Sequence, residues 1–292
     1  MAITGSGTQA DPWIVHSYNE IKEAITRGVN YFGSTLFYME LGNDIDCNDY
    51  GTTFEWETIG VNNSTTVHYN FDLKGHTIKN FKVKSGNAVF EHGGGFASVV
   101  KNGKILNVYL GNAKSFCRIY GGVYAFSQLQ DLSISINAGA TITDDYMFKC
   151  GISRCAIYIE GATNKRIFST YPNIGGTITD SDFLFNFTQS RNLDYIESSG
   201  RAIERCRFRG TLGHNTDDYI FRNYVINSVI DVVTDATYSA YGDDANNAST
   251  IINRTKAPNM TYFQDMIPVT SEEIINGDAL RAKGFEVVNV LE

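Results

Sequence analysis

A short phrase recurs along this chain every 22 to 27 residues, from Ile78 to Asn253. Its order is apolar, any, polar, small or apolar, any, apolar, and the polar position holds Asn, Asp or Arg. Recurrence at a spacing of about 20–50 residues is the mark of stacked structural repeats. Eight copies begin at Ile78, Ile105, Leu129, Ile152, Ile178, Ile203, Val225 and Ile251.

Most copies contain a segment of alternating apolar and polar residues, such as 132–136 or 155–159. Alternation with a period of two predicts a strand with one buried face. One strand per repeat, without room for a crossover helix, predicts an all-β parallel solenoid of about eight or more coils, with strands roughly 4.8 Å apart. In it, Ile134 and Ile157 should be buried and stacked, while Ser133 and Ala156 point the other way.

The polar third position of the phrase predicts a bend. Asn and Asp tolerate left-handed backbone angles and bond their own backbone there. Arg154 and Arg205 depart from that chemistry, and we expect them only to present their side chains outward.

The segments on either side of the repeats predict closed ends, because an open strand edge invites aggregation. Ser17 and Glu20 form a capping-box pattern that opens a helix, with Trp13 as a plug. Thr270 and Glu273 repeat the pattern before a helix and a final strand, which form either a C-terminal cap or a docking piece for a neighbouring subunit. We therefore divide the chain into an N-terminal cap with its first strands (1–60), the β-helix (61–257) and a C-terminal helix-strand tail (258–292).

The first part of the chain resembles a known family. The motifs that carry the resemblance are Gly5-Ser6-Gly7-Thr8, Asp11-Pro12, Asp44-Ile45-Asp46, Trp56-x-x-Ile59-Gly60 and Phe71-x-x-x-Gly75-x-Thr77-Ile78. They are similar to those of pectin-lyase-like β-helix proteins, and more narrowly of those in virions of phages that infect Gram-positive bacteria and in surface proteins of those bacteria. The resemblance implies a right-handed parallel β-helix, and a homotrimer as the oligomeric form.

Charge and composition exclude several partner classes. The net charge of −8 argues against binding to nucleic acid or to an anionic membrane surface. No apolar run reaches the roughly 18 residues of a membrane span, and residues 1–7 show no signal-peptide pattern. The five cysteines are expected to be reduced and buried as small apolar residues.

Two aspartate pairs are the catalytic candidates. Asp217 and Asp218 precede Asp243 and Asp244 by 26 residues, about one coil. Polygalacturonase-type hydrolases carry a similar Asn-Thr-Asp and Asp-Asp arrangement, and paired carboxylates can divide the acid and base roles. That family's later histidine has no counterpart after His214 here. We therefore expect no catalytic residue.

No cofactor or metal is expected either. Asp144-Asp145, Asp180 and Asp182 are candidates for a calcium-dependent lyase site, with solvated turns as the alternative. The five histidines show no metal-ligand spacing.

Tyrosines at outward or loop positions are the binding candidates. A tyrosine on a coil face can stack on a sugar or enter a protein interface, and the alternative is packing over turns. The candidates are Tyr109, Tyr158, Tyr219 and Tyr241, with Tyr238 beside them.

Solenoid architecture without an export signal predicts a phage virion protein, made in the host cytoplasm and released by lysis. It would be a non-enzymatic tail, fibre, spike or capsid-decorating protein that binds other virion proteins or a host surface glycan. The alternatives are a polysaccharide hydrolase or lyase, acting as a depolymerase, and a bacterial surface adhesin.

Overall fold

The computed structural model describes most of the chain outside a set of loops and the C-terminal tail. The described residues are 2–33, 35–60, 67–93, 98–120, 128–139, 142–144, 146–162, 166–169, 177–190, 194–195, 203–215, 219–221, 225–235, 238–240, 250–253, 256 and 267–272.

Short strands dominate the described chain. One α-helix, α1 (Tyr18–Phe32), and one 3₁₀ turn (Cys47–Tyr50) accompany them. The strands in chain order are β1 (Trp13–Val15), β2 (Leu36–Leu41), β3 (Ile45–Asp46), β4 (Glu55–Trp56), β5 (His68–Asp72), β6 (Thr77–Val83), β7 (Phe90–Gly93), β8 (Val99–Tyr109), β9 (Cys117–Tyr120), β10 (Gln128–Asn137), β11 (Tyr146–Phe148), β12 (Gly151–Ser153), β13 (Ala156–Ala162), β14 (Arg166–Ser169), β15 (Ile178–Thr179), β16 (Asp182–Ser190), β17 (Asp194–Tyr195), β18 (Ile203–Glu204), β19 (Arg207–Asn215), β20 (Tyr219–Phe221), β21 (Val225–Ile226), β22 (Val229–Thr234), β23 (Tyr238–Ala240), β24 (Ile251–Asn253) and β25 (Ile267–Val269).

Each strand pairs in parallel with its counterpart in the next coil. One run of pairing follows β3, β6, β8, β10, β13, β16, β19, β22, β24 and β25. A second, separate sheet follows β7, β9, β11, β14 and β17. The predicted all-β parallel solenoid, with little helix, is confirmed. The handedness stays a prediction.

The core is a stack of apolar side chains from successive coils. Ile134 pairs with Ile157, and the two are 2% and 0% exposed, as predicted. Phe183 continues the stack above Ile157, and its ring lies 5.1 Å from that of Phe208 with the planes 6° apart. Ser133 and Ala156 pair with each other on the opposite face, although Ala156 is buried as well.

The eight sequence copies do not all occupy the same place in a coil. Ile78 and Ile105, the first residues of their copies, stack beneath Ile134, which is the sixth residue of its copy. Leu129, the first residue of that copy, instead pairs with Val100. The single repeat register is therefore wrong for the first two copies. The physical reason is that any bend between two inward-facing residues produces the same phrase, so the phrase alone cannot tell one corner of a coil from another.

Seven of the eight third positions adopt a left-handed backbone, which explains the phrase, whereas Asn253 in the last copy does not. The φ angles of the seven lie between 48° and 62°. These residues are Asn80, Asn107, Asp131, Arg154, Asp180, Arg205 and Asn227. The predicted bend is confirmed at these seven positions.

The two arginines do more than present their side chains outward. Arg154 and Arg205 also take the left-handed conformation, at φ 51° and 52°. The Arg154 guanidinium donates from Nε and Nη2 to the two carboxylate oxygens of Asp131 in the preceding coil, at 2.6 and 2.8 Å. Arg205 binds both oxygens of Asp180 in the same way. The earlier expectation for these arginines is therefore wrong: a bidentate pair to the coil below offsets an unfavourable backbone conformation.

These ion pairs predict a pH dependence of folding. The bound guanidinium holds the pKa of Asp131 and that of Asp180 below the ordinary value of 3.8. A carboxyl group whose pKa is lowered on folding contributes stability that is present above its unfolded pKa and is lost as the pH falls through the folded one. We expect the urea midpoint to fall from about pH 4 downward, and to fall less in the double variant Arg154→Gln/Arg205→Gln. Identical profiles for both proteins would contradict this assignment.

Helix α1 lies against the first strands of the ladder. The Ser17 side chain accepts a hydrogen bond from Glu20 N at 3.2 Å, so the predicted N-cap is confirmed, while the Glu20 carboxylate accepts from the backbone of His16. Trp13 is buried, and its ring meets those of Phe32 and Phe37 at 5.7 and 5.6 Å. Residues 13–32 thus pack against the first strands of the ladder, and their role as a cap stays a prediction.

The C-terminal tail is described only at its beginning. Strand β25 pairs in register with β24. Residues 273–292, which include the rest of the predicted helix and the final strand, lie outside the described residues.

The five cysteines are free and buried, as predicted. Cys155 and Cys206 face the interior at matching places, and burial raises the pKa of each thiol to about 12. Neither thiol is therefore a nucleophile at neutral pH. No helix in the described ranges is long and apolar enough to span a membrane.

Candidate functional site

Two of the predicted binding tyrosines lie together in an open groove on the outer face of the ladder. The groove has a volume of about 290 Å³, at the lower limit of small-molecule sites. It crosses the ends of β8, β10 and β13, and its lining residues are Asn107, Val108, Tyr109, Ser135, Ile136, Asn137, Tyr158 and Glu160. We call it the tyrosine groove.

The strand register sets the positions of these side chains. Tyr109, Asn137 and Glu160 are consecutive rungs of one outward row. Ser135 and Tyr158 are paired rungs of the row beside it. Neighbouring rungs are about 4.8 Å apart, so Tyr109 and Glu160 are separated by roughly 10 Å along the solenoid axis.

Glycines bring the Tyr109 ring close to the backbone. A Cβ atom on Gly111 would lie 3.0 Å from Tyr109 Cε1, and one on Gly139 would lie 2.8 Å from Gly111 Cα. The Tyr109 ring therefore lies close to Gly111, which in turn lies close to Gly139 of the next coil, while 43% of Tyr109 remains exposed. One edge of the ring lies against the backbone, and the exposed part can meet a ligand.

The far wall of the groove is held by hydrogen bonds. The Tyr158 hydroxyl donates to Glu160 Oε2 at 2.7 Å, and Asn137 Nδ2 donates to Glu160 Oε1 at 3.5 Å. The bond to Glu160 raises the pKa of Tyr158, so this hydroxyl keeps its proton at neutral pH. Asn137 Oδ1 accepts from Gly139 N at 3.2 Å. The carboxylate is thus fixed in one orientation before any ligand arrives.

The groove is negatively charged. Glu160 is the one acidic residue among the lining side chains, and none of them is Lys or Arg. Lys82 of the preceding coil pairs with Tyr109, and its Nζ donates a hydrogen bond to Glu55 Oε1 at 2.7 Å. The groove therefore favours a neutral or cationic ligand over an anionic one.

The other predicted binding tyrosines cannot be placed beside this groove. Tyr219 and Tyr238 pair across β20 and β23, but their side chains lie outside the described part of the chain. Tyr241 lies outside the described residues altogether, as do Asp217, Asp218, Asp243 and Asp244. The expectation that these aspartates are not catalytic stays a prediction.

Asp145 lies outside the described residues, and the other three calcium candidates lie beside arginines. Asp180 binds Arg205, and the buried Asp182 binds the Arg209 guanidinium at 3.1 and 2.7 Å. Asp144 lies 3.5 Å from Arg118 Nη1. Among the described residues, no three His, Cys, Asp or Glu side chains converge as metal ligands would.

A second concentration of ionisable groups is internal. Glu91 and His92 of β7 are buried, and Arg118 Nε lies 3.6 Å from Glu91 Oε2. Burial lowers the pKa of His92 to about 3, so its ring is neutral. With Glu91 and His92 almost inaccessible to solvent, we interpret this cluster as part of the core rather than as a site.

Tyr109 and Tyr158 were predicted from the sequence as binding residues, whereas the polar residues of the groove were not. Asn137 and Glu160 come two residues after Ser135 and Tyr158 on the same outward face. Alternation within β10 and β13 could have placed them there. Placing Tyr109 next to them requires the register between coils. That register could not be derived from the sequence, because the first two copies occupy a different place in the coil.

Comparisons with known proteins add little. No protein-family model matches this chain, and no curated protein does. One similar solved structure is that of a candidate immunoglobulin A1 protease from Bacteroides ovatus, with 13% sequence identity and a TM-score of 0.43. The similarity covers 96% of this chain and 89% of that one.

Proposed function

We propose that this chain is a non-enzymatic phage virion protein, a tail, fibre, spike or capsid-decorating component that displays a binding surface rigidly. Its partners would be other virion proteins or a glycan on the host surface. The proposal includes a right-handed solenoid of about eight or more coils, closed by α1 at one end and by the helix-strand tail at the other, and assembly as a homo-oligomer.

The observation that carries the proposal is the tyrosine groove. It is formed by three successive coils whose strands are locked in register, so its side chains are held without a ligand. A site built on strands is more precisely positioned than one built on loops. Its chemistry suits binding: among the lining residues, one carboxylate has no second acid or base beside it to share a reaction.

The resemblance of residues 5–78 to virion β-helix proteins supports the biological setting. The depolymerase and the surface adhesin remain the competing functions, and they differ in measurable ways. A depolymerase releases sugar from the host polysaccharide, whereas an adhesin is found on bacteria and not in phage particles.

Purified protein is expected to release no sugar from host surface polysaccharide or from pectin, because a hydrolase needs one protonated and one ionised carboxyl group at the same bond. The double variant Asp217→Ala/Asp243→Ala is expected to leave attachment to host cells unchanged. Mass spectrometry of purified virions should detect the chain. Sugar release by the unmodified protein, abolished in that variant, would replace the proposal with a depolymerase.

A further inference from the structure

We infer that the tyrosine groove recognises an amine-bearing saccharide and discriminates against acidic ones. This inference rests on the proposed attachment function and specifies the ligand of that same site. Three properties of the groove carry it: the exposed ring of Tyr109, the fixed carboxylate of Glu160, and the balance of hydrogen-bond donors and acceptors around them.

The ring supplies a stacking surface. One edge of the Tyr109 ring lies close to Gly111, and 43% of the residue is exposed. A sugar ring presents C–H groups to an aromatic face, and an ammonium group near that face gains a cation–π attraction. Either contact places a pyranose ring over Tyr109.

The groove offers hydrogen-bond acceptor positions beside the ring, chiefly on the carboxylate of Glu160. The Tyr158 hydroxyl donates to Glu160, and the amide nitrogens of Asn107 and Asn137 donate to Asn80 and Glu160. The carboxylate of Glu160 has more lone pairs than these two donors use. The side-chain oxygen Oδ1 of Asn107 accepts no hydrogen bond from any described residue. A hydroxyl or ammonium group of a ligand can therefore donate to these free acceptor positions, above all to the carboxylate of Glu160.

Charge narrows the class of ligand further. Glu160 gives the groove a negative charge that no lining cation cancels, and the whole chain carries −8. Tyr109 and Glu160 are separated by two rungs, roughly 10 Å, so a ligand that covers the ring can place a positive group against the carboxylate. A saccharide bearing a carboxylate or phosphate in that place would meet Glu160 and be repelled.

Binding of three matched probes tests the inference by calorimetry at low salt. These are the β-1,4-linked tetramers of glucosamine and N-acetylglucosamine, and a galacturonate tetramer. We expect the glucosamine tetramer to bind best, the acetylated one more weakly and the galacturonate one not at all. Glu160→Gln should weaken glucosamine binding roughly tenfold or more and leave the acetylated probe nearly unchanged. Tyr109→Ala should weaken both probes by roughly fivefold.

Matched controls come from helix α1. Tyr31→Ala removes a tyrosine that is 79% exposed and far from the groove in sequence and in the ladder, and Glu23→Gln removes an exposed carboxylate. Both should bind all probes as the unmodified protein does, and all four variants should keep its melting temperature.

Equal binding of the three probes, or glucosamine binding unaffected by Glu160→Gln, would overturn the inference. If no probe binds but the chain is present in virions and attaches to host cells, the inference fails and the proposed function stands. If the chain is absent from virions, the proposed function fails, whatever the probes show.

Discussion

Replacing Ile157 by aspartate is expected to lower the free energy of unfolding by more than about 4 kcal/mol, enough to leave little folded protein. Ile157 is fully buried and stacks between Ile134 and Phe183 in the coils on either side. An ionised carboxylate at this position would be buried without a partner. In a repeat protein each coil is stabilised by its neighbours, so the change weakens two junctions at once.

The control is Leu184→Asp. Leu184 follows Phe183 in β16, faces outward and pairs with Arg209 of the next coil. The Leu184→Asp substitution introduces the same charge one position away from the core stack and beside a cation. It should lower the free energy of unfolding by less than about 1 kcal/mol. Urea denaturation of both variants measures the difference. Equal losses would show that the inward and outward faces have been exchanged.

Removing residues 1–33 is expected to leave the protein insoluble or aggregated. The deletion takes away β1 and α1, which cover the edge of β2 and the apolar side chains of Phe37 and Met39. Both side chains are almost completely buried in the intact chain. An exposed parallel strand with an apolar face is a template for pairing with another chain.

Point variants separate the role of the helix from that of the strand. Ile21→Asp places a charge on the buried face of α1 while keeping β1, and should reduce solubility in the same direction as the deletion. Tyr31→Ser, on the exposed face, should have no effect. Sedimentation and soluble yield measure both. A soluble, monomeric deletion variant with an unchanged melting curve would show that α1 is a docking arm rather than a cap.

The sequence predicted the architecture because a solenoid repeats its chemistry. Alternation identified the strands that contain Ile134 and Ile157, and Ser17 with Glu20 located the start of α1. The left-handed bend was predicted correctly at the five positions Asn80, Asn107, Asp131, Asp180 and Asn227, although Asn253 in the last copy does not adopt it. At Arg154 and Arg205 it was not readable, because the stabilising partner is an aspartate 23 or 25 residues earlier in the chain.

The candidate site was less accessible to the same reasoning. Tyr109 and Tyr158 are far apart in sequence, and they meet only because Tyr109 pairs with Asn137, which pairs with Glu160. That register includes an irregularity between Ile134 and Ile136, where β8 carries an additional left-handed residue, Asn107. The repeating phrase treats every coil as equivalent and therefore cannot predict that irregularity. The groove forms at the place where the repeat is imperfect.

The direction of the strand pairing also determines how this molecule bears a mechanical load. Backbone hydrogen bonds between coils run along the long axis, so tension applied at the two ends stretches them directly. The bonds of one junction share the force in parallel, whereas successive junctions transmit the same force in series, and the shortest junction yields first. Strand β24 is held to β22 through two paired residues and β25 to β24 through three, while β10 and β13 pair over the longer stretch from Ser133 to Asn137 beneath the groove. Tension along this axis would thus separate β24 and β25 from the rest of the described solenoid before it distorts the tyrosine groove.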